Sequence, residues 1–253
     1  MDITIKGDKE FNAIPSLKSK ALRINLNRNI YGSFAEIGAG QETCRHFFRA
    51  GGASGTIAKA MSAYDKSFSD AIYGAEDDGR YVTEARLRKM LSHEMNLMEK
   101  RITREEHPDK IFFTYANTVA TIDFAKQFKG HGWVGIKYQI EAGQEYNEII
   151  LHLRFKETDA RLQQETLGAL GTNLIYGAFY KYNDPKKLLR YLYDHLDKDP
   201  LEIDTINFSG PVFKNIDNRL MSLQLVKNGM TDAVVFGPDG TNILPARLFY
   251  KKN

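Results

Sequence analysis

A single cysteine, Cys44, occurs in 253 residues. No intrachain disulfide and no four-cysteine metal site can form, and such sparse use fits a reducing, cytoplasmic setting. Long apolar runs are missing too. No stretch of about 18 apolar residues exists to make a membrane-spanning helix, and the opening MDITIKGDKEF lacks the apolar core of a secretory signal. Charge of one sign is not in excess. With 35 Lys+Arg against 32 Asp+Glu the net charge is +3, which predicts neither a nucleic-acid nor a membrane partner. Low-complexity tracts and linkers are absent, so one domain over residues 1–253 is expected.

Several common chemistries lack their motifs. His93-Glu94 begins an HExxH pattern, but Leu97 stands where the second histidine is required. The other histidines have no ligand spacing, and no metal is expected. Neither a GxxxxGK[ST] phosphate loop nor a GxSxG nucleophile elbow occurs. No motif assigns a cofactor.

What is present reads as α/β or α+β, a mixed β-sheet with packed helices. Helical spacing marks Gln41 to Arg49 and, most clearly, Thr83 to Ile102, where Leu87, Leu91, Met95, Met98 and Ile102 form one stripe. It returns over Asp159 to Tyr180, from Asp184-Pro185 to His195, and over Ile216 to Lys227. A further helix is predicted from Ser54 or Thr56 to about Tyr64. Strands are predicted at residues 21–26, 111–115, 133–139, 148–155, 202–208 and 232–236. The alternation of Ile149, Leu151, Leu153 and Phe155 makes 133–155 an antiparallel hairpin. Gly237-Pro238-Asp239-Gly240 is a turn that returns the chain toward Leu248–Tyr250. Gly168, Gly171 and Gly177 inside the long 159–180 pattern predict close packing on another backbone or a break into two helices.

The stretch Tyr31 to Gly74 organises the rest. It holds seven glycines and a few cations, among them Arg45 and Arg49. These two are four apart on one helical face. The segment Gly51 to Thr56 follows them, and Gly52, Ser54, Gly55 and Thr56 offer backbone N–H groups to an anion such as phosphate. Gly32, Ser33, Phe34, Gly38, Gly40 and Gln41 are expected to wrap the ligand, with the glycine-rich loops at one edge of the sheet. Asn117, just after the 111–115 strand, is a further ligand-binding candidate. His131, at a strand mouth beside Gly132 and Trp133, is the candidate acid or base, and His46 is the second catalytic candidate. The expected partner is a phosphorylated small molecule or nucleotide, with homo-oligomerisation left open.

Residues 32–41, GSFAEIGAGQ, resemble the GxFxPxHxGH signature of nicotinate- and nicotinamide-mononucleotide adenylyltransferases. Gly32, Phe34 and Gly40 match, Glu36 replaces the proline, and Gly38 and Gln41 replace the two histidines. Those histidines stabilise phosphate charge during adenylyl transfer, and neither Gly38 nor Gln41 supplies an imidazole for it. More broadly, residues 32–74, HGWVGIKYQ and FSGPVFKNIDNRLMSLQLVKNGMTDAVVF are similar to an uncharacterised bacterial family. Its members often carry the label nicotinate-nucleotide adenylyltransferase, sometimes TonB-dependent receptor, and are usually longer at the C-terminus. The resemblance implies nucleotidyltransferase-type activity and a shortened chain. The alternative is a non-catalytic module completed by a partner or a C-terminal segment.

Overall fold

The computed structural model describes residues 14–125, 129–196 and 199–244. It is an α/β fold around a six-stranded mixed sheet of order β2-β1-β3-β4-β5-β6. The strands are β1 (Ile30–Ile37), β2 (Ile57–Met61), β3 (Ile111–Ala120), β4 (His131–Tyr138), β5 (Asn147–Phe155) and β6 (Leu201–Ser209). β1 pairs in parallel with both β2 and β3, and the pairs from β3 to β6 are antiparallel. The carboxyl ends of β1, β2, β3 and β5 and the amino ends of β4 and β6 therefore share one edge. The hairpin expected over 133–155 is β4–β5. A separate hairpin joins β7 (Val235–Phe236) to β8 (Asn242–Ile243) across the predicted turn. The continuation to Leu248–Tyr250 lies outside the described residues.

The helices are α1 (Leu17–Asn25), α2 (Glu42–Ala50), α3 (Lys66–Tyr73), α4 (Glu84–Arg101), α5 (Ala160–Tyr180), α6 (Pro185–Tyr191) and α7 (Asn218–Lys227). One face of the sheet carries α1, α2, α5, α6 and α7. Its core joins Phe34, Phe47, Tyr115, Val134, Ile136, Leu151 and Leu153 to Leu167, Leu170 and Leu174 of α5. On the opposite face α4 lays Leu87, Met90 and Leu91 against Ala35, Ala116, Trp133 and Ile150. The stripe predicted for α4 is thus the one it buries. Thr83 caps this helix by accepting from the Arg86 amide.

Three sequence expectations are corrected. Residues 21–26 lie in or just after α1, a helix that Ser16 opens by accepting from the Ser19 amide. Ala21 and Ile24 are buried from it, and Lys20 beside them is anchored on Asp194 at 2.5 Å and on Asn173 at 2.8 Å. The predicted 54–64 helix is instead a single 3-10 turn, Ala53–Gly55, followed by the edge strand β2. Pairing with β1 overrides the helix-forming alanines and lysine of IAKAM. The glycine-rich stretch is not all loop: Gly32 to Ile37 lies inside β1, with β2 on one side and β3 on the other.

Glycine in α5 marks close approach, not a break, and the helix runs unbroken over 21 residues. A Cβ at Gly168 would come within 2.7 Å of Glu42 Cβ, and one at Gly171 within 2.5 Å of Thr43 Oγ1 and the Tyr115 hydroxyl. These two positions let α5 lie directly on the start of α2.

Gly38 stands at φ +95°, and a Cβ there would overlap the Val119 carbonyl oxygen at the end of β3. Gly79 has a comparable φ of +66° with nothing within 4 Å. Gly79→Ala is expected to cost about 1 kcal/mol, the backbone penalty alone. Gly38→Ala adds overpacking and is expected to cost about 3 kcal/mol. Urea denaturation of the two variants checks the difference.

Candidate functional site

The shared strand edge gathers Gln41, Arg45, Asn117 and His131 of the polar side chains that sequence reasoning singled out, but on two faces. On the α2 face, Glu36 is the second-last residue of β1, 1% exposed. Its carboxylate accepts from the Thr43 and Cys44 amides at 3.1 and 2.9 Å and from Asn117 Nδ2 at 3.2 Å. It therefore fills the amino end of α2, where a helix dipole favours negative charge. Burial pushes this carboxyl upward from its ordinary range, and the two amides pull it back without cancelling the effect. Asn117, completely buried, also accepts from the Ile37 amide at 3.2 Å. Tyr115 and Thr43 complete the network through a 3.1 Å hydroxyl contact.

Outside this network lies the Gly38–Gln41 loop, with φ of +95° at Gly38 and +71° at Gly40. The Gly40 amide donates to the hydroxyl of Tyr64, an exposed ring that follows β2, at 2.5 Å. Glu42, beside Gly40, accepts from Arg45 Nη1 at 3.0 Å. Arg45 is half-exposed. Gly40, Gln41, Tyr64, Glu42 and Arg45 are thus linked into one surface at the strand ends. His46, half-buried one turn along α2, is shifted downward by burial, with Glu42 opposing and Arg49 adding to the shift. Arg49 lies at the far end of the helix and is exposed.

The second glycine cluster is elsewhere. α2 is nine residues long, about 13 Å. Gly51 follows its last turn and begins the return to the opposite sheet edge, where Gly32 donates its amide to the Thr56 carbonyl. There Thr56 donates its hydroxyl to the Asn25 carbonyl at 3.0 Å, and Asn25 Nδ2 donates to the Gly51 carbonyl at 2.7 Å. Gly52, Ser54 and Gly55 form the exposed turn beside them. Gly32, Ser33 and Phe34 are buried within β1. The structure brings Gly38, Gly40, Gln41 and Arg45 together and separates them from Gly52, Ser54, Gly55 and Thr56 by the length of α2.

On the α4 face, His131 opens β4 with Arg154 as its register partner on β5. His131 Nδ1 is 3.2 Å from His152 Nε2, and His152 Nδ1 is 2.7 Å from Asp204 Oδ1. His152 and Asp204 are buried and His131 is half-buried. Arg154 Nε lies 3.1 Å from the other Asp204 oxygen, and Trp133 packs against the His152 ring with centroids 5.0 Å apart. Burial and the neighbouring His152 move His131 below the usual imidazole range; Asp204 opposes this and Arg154 adds to it.

Sequence reasoning picked out His131 but missed His152, Asp204, Tyr64 and the capping role of Glu36. The outward alternation of His152 against Leu151 and Leu153 was visible. Its pairing with Asp204, 52 residues on, depends on the β5–β6 register. Among the described residues no helix is long and apolar enough to cross a membrane, and no group of three or more His, Cys, Asp or Glu could hold a metal ion.

Comparison with protein-family models and with curated proteins finds no match. Among solved structures the chain is similar to a competence/damage-inducible protein, CihA, from Agrobacterium tumefaciens, with 15% identity over 60% of this chain and 89% of that one, at a TM-score of 0.39. A competence-damaged protein (CinA) superfamily member from Enterobacter cloacae gives 11% identity over 70% and 98%, at 0.44. Another from Klebsiella pneumoniae gives 12% over 69% and 96%, at 0.45. At these scores the likeness carries no inference about this chain's chemistry or family.

Glu36→Ala leaves two α2 amides without an acceptor and Asn117 Nδ2 with only the Tyr115 hydroxyl at 3.4 Å, and is expected to cost about 3 kcal/mol. Glu36→Gln keeps one acceptor oxygen and removes a buried charge, so it costs less. The folded-state pKa of Glu36 is raised, so its contribution favours the fold at low pH and is lost as pH rises through the folded value. Glu36→Gln therefore gains on the parent chain as pH rises above the ordinary carboxylate range, as read by urea titrations at several pH values.

Proposed function

We propose that this chain binds a phosphorylated small molecule, with a nucleotide as the leading class, at the strand ends on the α2 face. The observation that carries the reading is the linked surface of Gly40, Tyr64, Glu42 and Arg45 at the carboxyl ends of β1 and β2. Ligands of open α/β sheets bind in the crevice beyond such ends. Arg45 supplies a fork-shaped donor suited to phosphate oxygens, and the exposed Tyr64 ring offers a face on which a base stacks. The carboxylate of Glu42 holds the guanidinium over the loop until phosphate replaces it. Gly38 and Gly40 keep the backbone close to the ligand, with Gln41 completing the loop.

Glu36 already occupies the inner amides of α2, so phosphate recognition here falls to side chains and not to the helix terminus. A nucleotidyltransferase-type reaction at this surface would draw on His46. Its half-buried imidazole is held toward the neutral form and is available to take a proton.

A thermal-shift screen against nucleotides, NAD precursors and sugar phosphates tests the reading. A true ligand at about 100 times its Kd is expected to raise Tm by roughly 5 °C or more. Arg45→Ala should weaken binding about tenfold or more through loss of a charge-assisted hydrogen bond, and Tyr64→Ala should weaken nucleotides more than sugar phosphates. Unchanged Tm with every phosphorylated compound would overturn it.

A further inference from the structure

The α4 face of the strand edge carries a chain of three hydrogen-bonding groups that the phosphate reading does not use. Asp204, His152 and His131 come from β6, β5 and β4, three neighbouring strands, and run from the interior to the surface. Asp204 is 2% and His152 3% exposed, while His131 is partly open beside the exposed Ala120. Among the described residues His131 Nε2 meets no hydrogen-bond partner; its ring is bonded through Nδ1.

The proton positions follow from what each group can do. A carboxylate only accepts, so at 2.7 Å His152 Nδ1 must carry the hydrogen it donates to Asp204 Oδ1. Asp204 also has a cation at hand, since Arg154 Nε lies 3.1 Å from its Oδ2. Trp133 encloses the ring; in a neutral His152 whose one hydrogen is on Nδ1, Nε2 is a lone pair and accepts. The group 3.2 Å away is His131 Nδ1, which therefore donates. Only Nε2 of His131 remains, unprotonated, at the surface end of the chain.

We infer that Asp204 and His152 position His131 as a general base whose Nε2 removes a proton from a hydroxyl group or water at the mouth of β4. The step balances as a proton transfer. The O–H bond of the substrate breaks, its electron pair stays on oxygen, and a new N–H bond forms at Nε2. The positive charge that appears on His131 is shared along the hydrogen bonds to His152 and toward the Asp204 carboxylate. Arg154 limits that carboxylate's pull, and Glu202, 3.6 Å from the same guanidinium, steadies it. His131 is the catalytic residue, and His152 and Asp204 are positioning residues. The inference stands apart from the phosphate site, which lies on the other face of the sheet.

Two measurements on the full chain test it without a known substrate. Two-dimensional 15N–1H spectra of the imidazoles at neutral pH are expected to show His131 protonated on Nδ1 and bare on Nε2. Carbethoxylation by diethyl pyrocarbonate, mapped by mass spectrometry, is expected to mark His131 at Nε2. In Asp204→Asn its rate should fall severalfold, with His93 and His107 unchanged as internal references. A His131 protonated on Nε2 in the parent chain would overturn the inference even if the variant fails to fold. So would a carbethoxylation rate that Asp204→Asn leaves as it was.

Discussion

A buried carboxylate, Glu36, ties the first strand to the helix that follows it. Its oxygens meet the Thr43 and Cys44 amides and the Asn117 side chain, so strand, helix and the neighbouring strand β3 are joined at one point. The arrangement sets how far α2 stands from the sheet. That spacing in turn admits α5, whose Gly168 and Gly171 touch the backbone and side chains of Glu42 and Thr43. Much of the packing on this face descends from where the carboxylate sits. Placing a charge inside a protein is tolerable because three donors surround it, and here the donors belong to elements that would otherwise be free to slide.

The same contact decides what kind of recognition the edge can perform. A helix start with open amides draws anions by its dipole. This one is already satisfied from within, so in the proposed phosphate site recognition would fall to Arg45, Tyr64 and the Gly38–Gln41 loop. The sheet then divides the edge into two chemical territories. One faces α2 and is built from a cation, an aromatic ring and flexible backbone. The other faces α4 and is built from two imidazoles and a carboxylate. β3 and β4 form the wall between them, so the two faces can act on separate ligands.

Much of the fold could be read from the chain, where a periodic pattern coincided with burial. α4 shows one apolar stripe and buries it, and β5 alternates cleanly because its two faces meet different layers. The glycines of α5 leave close approach or a break open, and the unbroken helix decides for close approach. The misreadings have a common origin in short segments decided by distant partners. IAKAM has helix-forming residues, yet it becomes β2 because β1 offers a free edge. ALRIN alternates weakly, yet Ser16 and the buried Lys20–Asp194 pair, 174 residues apart, hold it in a helix. β1 was hidden by its own polar residues, since Ser33 and Glu36 find partners only across the sheet and on α2. For the same reason the surface around Arg45 was half visible as a sequence motif. The His131–His152–Asp204 chain, spread over three strands, was visible only at its first member.

Cys44 lies directly beneath the Glu36 contact, 1% exposed, with its thiol donating to the Gln41 carbonyl at 3.3 Å. Burial and the adjacent carboxylate push that thiol far above its ordinary range, so it holds almost no thiolate while α2 is seated. Being the sole sulfhydryl, it makes the native chain silent to alkylating reagents. The pace at which it loses that silence is a clock for how often this helix lifts away, and a label placed anywhere else by mutagenesis will report from one address.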